Sequence, residues 1–168
     1  YTYNNGDKYE GVWINNLKHG IGKITYAVEG EYFGRFENGK RHGEGIFSYK
    51  KTKDVYSGSW KYGKKCGKGS YLYDATKMKI EGIWENGGIK TGKWIFPNGV
   101  YFEGGFEKNK PKGDGVWHFP NGNTIKGDFS HGTVENAEGE PMIKINWTTN
   151  NEIVDPLKYK EEEKENKQ

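Results

Sequence analysis

Cys66 is the one cysteine in a chain of 168 residues, and it is the first candidate nucleophile. A catalytic thiol needs a neighbouring base and a lowered pKa. Cys66 instead occupies a position that His19, His42 and Lys112 also hold, one residue before a Gly-x-Gly pair. A position that varies so freely carries no nucleophile. His19, His42 and Cys66 fall about one repeat apart, which makes a row along the chain and not the closely spaced set that zinc requires. Gly87-Gly88-Ile89-Lys90-Thr91-Gly92-Lys93-Trp94 nearly spells a phosphate-binding loop. Trp94 stands where Ser or Thr would meet magnesium, and no helical pattern follows. The Gly-x-Gly pairs lack the third glycine and the helix of a dinucleotide site. Asn146-Trp147-Thr148 is a glycosylation triplet with no secretory context to give it meaning. Glu10, Glu81 and Glu103 recur at a position shared with Phe33, Ser57 and Lys126, which describes an exposed strand face and not an acid–base pair. The expectation is a protein with no catalytic residues, no cofactor and no metal.

The elements that would position any site follow from composition. Gly accounts for 26 residues and aromatics for 15 % of the chain, while Leu and Ala number three each. Leu and Ala lead the helix propensities, so a helical bundle is excluded. Gly, aromatic and β-branched residues favour short strands and tight turns. Net charge is only +3, too small to imply nucleic acid. A lone Cys permits no internal disulfide and suits a reducing compartment. No stretch approaches the roughly 18 apolar residues of a membrane helix. The chain opens Tyr1-Thr2-Tyr3 with no Met, which points to a piece of something longer.

A repeat organises the rest. Tyr9-Glu10-Gly11-Val12-Trp13 matches Tyr32-Phe33-Gly34-Arg35-Phe36, Tyr56-Ser57-Gly58-Ser59-Trp60, Ile80-Glu81-Gly82-Ile83-Trp84 and Phe102-Glu103-Gly104-Gly105-Phe106, with a partial Ile125-Lys126-Gly127-Asp128-Phe129. The anchor glycines are spaced by 23, 24, 24, 22 and 23 residues. Gly20-x-Gly22, Gly43-x-Gly45, Gly67-x-Gly69 and Gly113-x-Gly115 follow their anchors at a fixed offset, each leading into a second alternating run. The fourth unit is one residue short and keeps only Gly92. Each unit therefore reads strand, turn, strand, turn. Asn15-Asn16, Asn38-Gly39 and Tyr62-Gly63 supply hairpin turns that want positive φ. Pro97-Asn98-Gly99 and Pro120-Asn121-Gly122 close units four and five. Hairpins are marginal alone and gain stability by stacking. The glycine pairs are expected to avoid crowding the next hairpin.

Tyr-x-Gly-x-Trp followed by Gly-x-Gly and an aromatic run resembles the MORN repeat (membrane occupation and recognition nexus), over residues 1 to about 132. The resemblance implies an all-β fold: an elongated, single-layer antiparallel β-hairpin array, residues 1–132, followed by a capping strand and charged tail, residues 133–168. It implies a structural scaffold in cytoskeletal or ciliary assemblies, and in some members membrane association or attachment to an enzyme. Within the family the run is most similar to the MORN region of radial spoke head proteins of cilia. The implied location is the cytoplasmic cytoskeleton and the ciliary axoneme. The implied partners are other proteins of a multi-subunit assembly, a homodimer or lipid headgroups, without nucleic acid.

Two surfaces are candidates for binding. Tyr9, Trp13, Tyr32, Phe36, Tyr56, Trp60, Trp84, Phe102 and Phe106 form an aromatic ladder on one face. Most of that ladder is core, but a single sheet has no second layer, so part of it should stay open for a partner. Lys40, Arg41, Lys64 and Lys65 make basic turns that would rim an acidic partner or meet lipid headgroups. In the tail, Ile143, Ile145 and Trp147 alternate onto one side and should cap the last strand. Lys158 to Gln168 reads as solvated helix or disordered tail.

Overall fold

A computed structural model describes the backbone of residues 1–135 and 141–149, and the side chains of residues 1–130. It contains twelve strands in one antiparallel sheet, joined strictly in sequence order. Units one to five supply five hairpins: β1 (Lys8–Ile14) with β2 (Leu17–Thr25), β3 (Gly30–Glu37) with β4 (Lys40–Tyr49), β5 (Val55–Lys61) with β6 (Lys64–Leu72), β7 (Lys79–Glu85) with β8 (Gly88–Ile95), and β9 (Tyr101–Glu107) with β10 (Lys110–His118). Strand β11 (Thr124–Glu135) pairs with β12 (Pro141–Thr149), where Phe129 is opposite Trp147 and Thr133 opposite Ile143. Strand β11 runs on to Glu135, past residue 132, and the backbone of β12 lies along it. The side chains of Ile143, Ile145 and Trp147, and the charged segment Lys158–Gln168, lie outside the described residues.

The hairpin tips turn as their residues dictate. Both central residues have positive φ at Asn15-Asn16, Asn38-Gly39, Tyr62-Gly63, Asn86-Gly87 and Lys108-Asn109, the signature of type I′ turns matched to the twist of the strands. The tips of units two, three and four are tied by backbone bonds to the preceding unit. Gly39 N–H donates to the Lys18 carbonyl at 2.9 Å, Gly63 N–H to Arg41 at 2.9 Å, and Gly87 N–H to Lys65 at 3.0 Å.

The core is built on paired glycines. Gly11 faces Gly22, Gly34 faces Gly45, Gly58 faces Gly69, Gly82 faces Gly92, and Gly104 faces Gly115 across the ladder. In units one, two, three and five the side chain two residues before the anchor folds back over this bare floor, while in unit four Ile89 approaches Gly82. Tyr9, Tyr32 and Tyr56 each donate their hydroxyl to the carbonyl three residues on, at Val12 (3.1 Å), Arg35 (2.9 Å) and Ser59 (3.1 Å). A Cβ on Gly22, Gly45 or Gly69 would strike the tyrosine ring lying on it. The first glycine of each pair does a different job. Gly43 and Gly67 sit at φ of +58° and +57°, beside the irregularities that shift register within their hairpins. The expectation that a side chain would push neighbouring hairpins apart is therefore corrected. A Cβ at Gly58 would meet Gly69 Cα at 2.5 Å and Tyr56 Oη at 2.8 Å, both within its own hairpin.

Rings from successive units interlock. Tyr32 meets Phe36 of its own unit at 5.2 Å and Trp60 of the next at 5.3 Å, both nearly perpendicular. Tyr9 does the same with Trp13 and Phe36, Tyr56 with Trp60 and Trp84, and Phe102 with Phe106 and Phe129. Edge-to-face pairs of this kind add about 0.5–1.5 kcal/mol beyond area burial. Unit four breaks the herringbone. Ile80 and Ile89 fill its core, and the two buried indole N–H groups that lack a partner among the described residues, on Trp84 and Trp94, both belong to it.

If the ring on the glycine floor is the constraint, Gly45→Ala should cost about 3 kcal/mol or more by overpacking. Gly63→Ala, at φ +85° with nothing within 4 Å, should cost about 1 kcal/mol through backbone strain alone. Urea denaturation of both variants checks this, and equal losses would contradict it.

Candidate functional site

The aromatic ladder is not open. Tyr9, Tyr32, Phe36, Tyr56, Trp60, Trp84, Phe102 and Phe106 are all buried, and only Trp13, at 41 %, keeps a substantial exposed area. The expectation that part of this row stays free for a partner is corrected for eight of its nine residues. The physical reason is the herringbone: each ring is covered by its own unit and the next, so no second layer is needed.

Two of the four basic candidates, Arg41 and Lys65, are half-buried against the rings. The residue two before each Gly-x-Gly pair projects over the rings. Arg41 lies 4.4 Å from the Trp60 ring and within 6.0 Å of Tyr26, Tyr32 and Phe47. Its Nη2 donates to the Gly63 carbonyl at 2.9 Å. Lys65 Nζ lies over Tyr71 (4.8 Å), Trp84 (4.9 Å), Tyr56 (5.0 Å) and Tyr49 (5.7 Å). Lys18 holds the same place over Tyr3 and Tyr9. Units four and five put buried Ile89 and Pro111 there instead. Arg41 and Lys65 are thus structural cations in aromatic boxes, not turn residues in solvent. Lys40 and Lys64 remain exposed at the tips.

What the alternation pattern missed is a second aromatic row, two residues after Ile24, Phe47 and Tyr71. Tyr26, Tyr49 and Tyr73, with Tyr3, are half-buried against the core. The recurrence of an aromatic at that offset was the available signal. Between units one and two this row leaves a cavity of about 510 Å³, lined among others by Tyr3, Tyr26, Phe36, Lys18, Lys40 and Arg41. Its wall is about equally polar and apolar: Lys18, Lys40 and Arg41 stand with Asn4, Asn5 and the carboxylate of Asp7 beside the tyrosine rings, a lining that suits an extended chain making both polar and aromatic contacts. Asp54, 8 % exposed, organises a neighbouring loop by accepting from Tyr71 Oη and the Asp74 N–H, both at 2.9 Å.

Elsewhere the charges are paired with each other. Glu37 lies 3.1 Å from His42, Glu85 3.5 Å from Lys90, and Glu107 3.4 Å from Lys112, all near the hairpin tips. The third unit departs, placing Lys61 opposite Lys64. Among the described residues no three His, Cys, Asp or Glu side chains gather as a metal would require, and no helix is long and apolar enough to cross a membrane.

The class is thereby defined: an open, single-sheet β-hairpin repeat protein whose core is internal to each unit and its neighbour. The chain belongs to the MORN repeat family, whose profile matches residues 9–30, 32–51, 56–74 and 102–124. The irregular fourth unit falls between the matched segments. Repeats of this family are in general non-catalytic modules of protein or membrane interaction. The chain is also 41 % identical over 44 residues to the "Inactive protein tyrosine kinase pTKL" of Plasmodium berghei (strain Anka). That alignment takes in 26 % of this chain and 3 % of the length of that relative.

The half-buried cation Lys65 gives a pH signature. Burial, and then the Arg41 charge, push the Lys65 ammonium down to about 8, from 10.5, while the ring faces pull the other way. Between pH 8 and 10 the unfolded chain then holds the proton that the folded chain has lost, so stability rises with pH. Above pH 10 the trend reverses, because burial raises Tyr32 and Tyr56 and the unfolded tyrosines ionise first. Lys65→Met should flatten the rise between pH 8 and 10 in chemical denaturation. If the rings outweigh burial, wild type will show no rise.

Proposed function

We propose that this chain is a non-enzymatic scaffold that holds segments of other proteins along its aromatic face. The observation that carries the reading is the cavity between units one and two, which half-buried Tyr3 and Tyr26, the exposed tip residue Lys40, the ring-stacked Lys18 and Arg41, and Asp7 line together. The tips supply the contrast with a membrane-surface module. Glu37, Glu85 and Glu107 each sit beside a tip base, which weakens the continuous positive field that anionic lipid would need. The setting we propose is a ciliary axonemal, radial-spoke-like, or other cytoskeletal assembly; the support for it is the resemblance of the repeat run.

A second reading is that the array serves as a targeting segment within a larger protein. What favours it is the match to a stretch that makes up 3 % of a relative named as an inactive kinase.

The test is affinity capture of the intact protein with mass spectrometry, in ciliated and non-ciliated cells, beside vesicle binding. Lys40→Glu combined with Tyr26→Ala should abolish recovery of specific proteins at physiological salt, with an unchanged circular dichroism spectrum. Vesicles carrying phosphoinositide should bind no better than neutral ones. If the variant captures the same proteins, while wild type binds phosphoinositide vesicles and Lys61→Glu with Lys64→Glu loses them, the membrane reading replaces this one.

A further inference from the structure

The face opposite the aromatic ladder carries a feature the array does not need. At its middle row the cross-strand pairs are Glu10 with Lys23, Phe33 with Ile46, Ser57 with Ser70, Glu81 with Lys93, and Glu103 with Val116. Four of the five repeats build their hairpins with at least one polar residue in this pair. In this middle row only Phe33 and Ile46, 54 % and 45 % exposed, set two large apolar side chains side by side in solvent; nearer the tip of unit one Ile14 and Leu17 do so at 49 % and 44 %. Ile21, opposite Arg35 on β2 and 52 % exposed, extends the patch. A patch that internal packing does not explain points to a partner.

The neighbours of the patch identify that partner. On one side, strands β2 and β3 present the bulky Ile21 and Phe33, the cation Arg35, and Lys23, which is ion-paired with Glu31 of β3 at 2.8 Å. On the other, β4 and β5 present Ile46, Glu44 and the small Ser48, Ser57 and Ser59 in register. Arg35 makes no ion pair among the described residues. Nor does Glu44, whose Oε1 accepts only from the Ser59 hydroxyl at 2.6 Å. A two-fold axis parallel to the strands, between β3 and β4, would lay β3 of one copy on β4 of another and β2 on β5. Phe33 then meets Ile46 of the other copy, Arg35 meets Glu44, and Lys23 and Ile21 lie over the serine flat. Each contact occurs twice, and no like charges oppose. We infer that two copies of this chain associate face to face through Phe33, Ile46, Arg35 and Glu44, leaving both aromatic faces free. Such a contact is isologous, as two-fold assemblies require.

Analytical ultracentrifugation of the intact protein tests this. Wild type should show a concentration-dependent dimer below about 100 µM, the weak end expected of a small interface. Phe33→Ser should abolish it without changing the melting temperature, since the ring contributes little to the core. Arg35→Glu and Glu44→Arg should each weaken dimerisation about tenfold by opposing like charges. The double swap Arg35→Glu with Glu44→Arg should return it to within about threefold of wild type, because the pair is restored in reverse. A wild type that stays monomeric, a Phe33→Ser protein that still dimerises, or a double swap no better than the singles would overturn the inference. None of these outcomes bears on capture of other proteins by the aromatic face.

Discussion

The contact between a tyrosine or phenylalanine ring and a bare pair of glycines on facing strands is what the rest of the molecule depends on. A single β-sheet has no layer beneath it to bury apolar surface, and the chain has almost no leucine to build one. Removing both Cβ atoms from a cross-strand pair opens a shallow floor within the sheet itself. Tyr9, Tyr32, Tyr56 and Phe102 lie down in that floor, and in the three tyrosines a hydrogen bond to a carbonyl three residues on fixes the ring along the strand. Once the ring is flat, its edge is presented to the aromatic residue of the next unit, and the herringbone follows.

Cations complete the packing in the first half of the array. Lys18, Arg41 and Lys65 cover ring faces that would otherwise meet water, with their backbone carbonyls holding the next hairpin tip. Burying such a charge is costly, and the ring quadrupoles offset part of that cost. In units four and five Ile89 and Pro111 do the same covering without charge. The array is thus polarised along its length: aromatic boxes with cations towards one end, purely apolar filling towards the other. The cavity with three cations lies at the charged end, and the irregular fourth unit, with its two orphan indole N–H groups, marks the transition.

Much of this was legible in the residues. The anchor glycines at intervals of 22 to 24 fixed the unit, period-2 alternation placed the strands, and Asn-Gly and Asn-Asn pairs placed the turns. What alternation could not convey is coverage. A pattern that assigns Tyr32 and Trp60 to one face does not say that the two rings seal each other, so the ladder read as partly open when only Trp13 is. The same limit applied to Arg41 and Lys65, which sit beside turns in sequence and read as solvated. Their place over the rings goes with the register shift at Gly43 and Gly67, which leaves the residue two positions earlier on the aromatic face. The outer pair Phe33 and Ile46 was hidden for a related reason: it is anomalous only when cross-strand partners, not sequence neighbours, are compared between units.

Proton nuclear magnetic resonance of the glycine Hα atoms tests the ring-on-glycine contact most directly. A ring lying on a glycine shields the Hα that points into its face. The Hα resonances of Gly22, Gly45 and Gly69 should therefore be displaced strongly upfield of the solvent-facing Gly63. Replacing Tyr32 by Leu should return Gly45 alone to the ordinary range. Ordinary shifts at all three glycines in the wild-type protein would contradict the account, because the rings would then lie elsewhere and the interlocked core built upon them would lose its foundation.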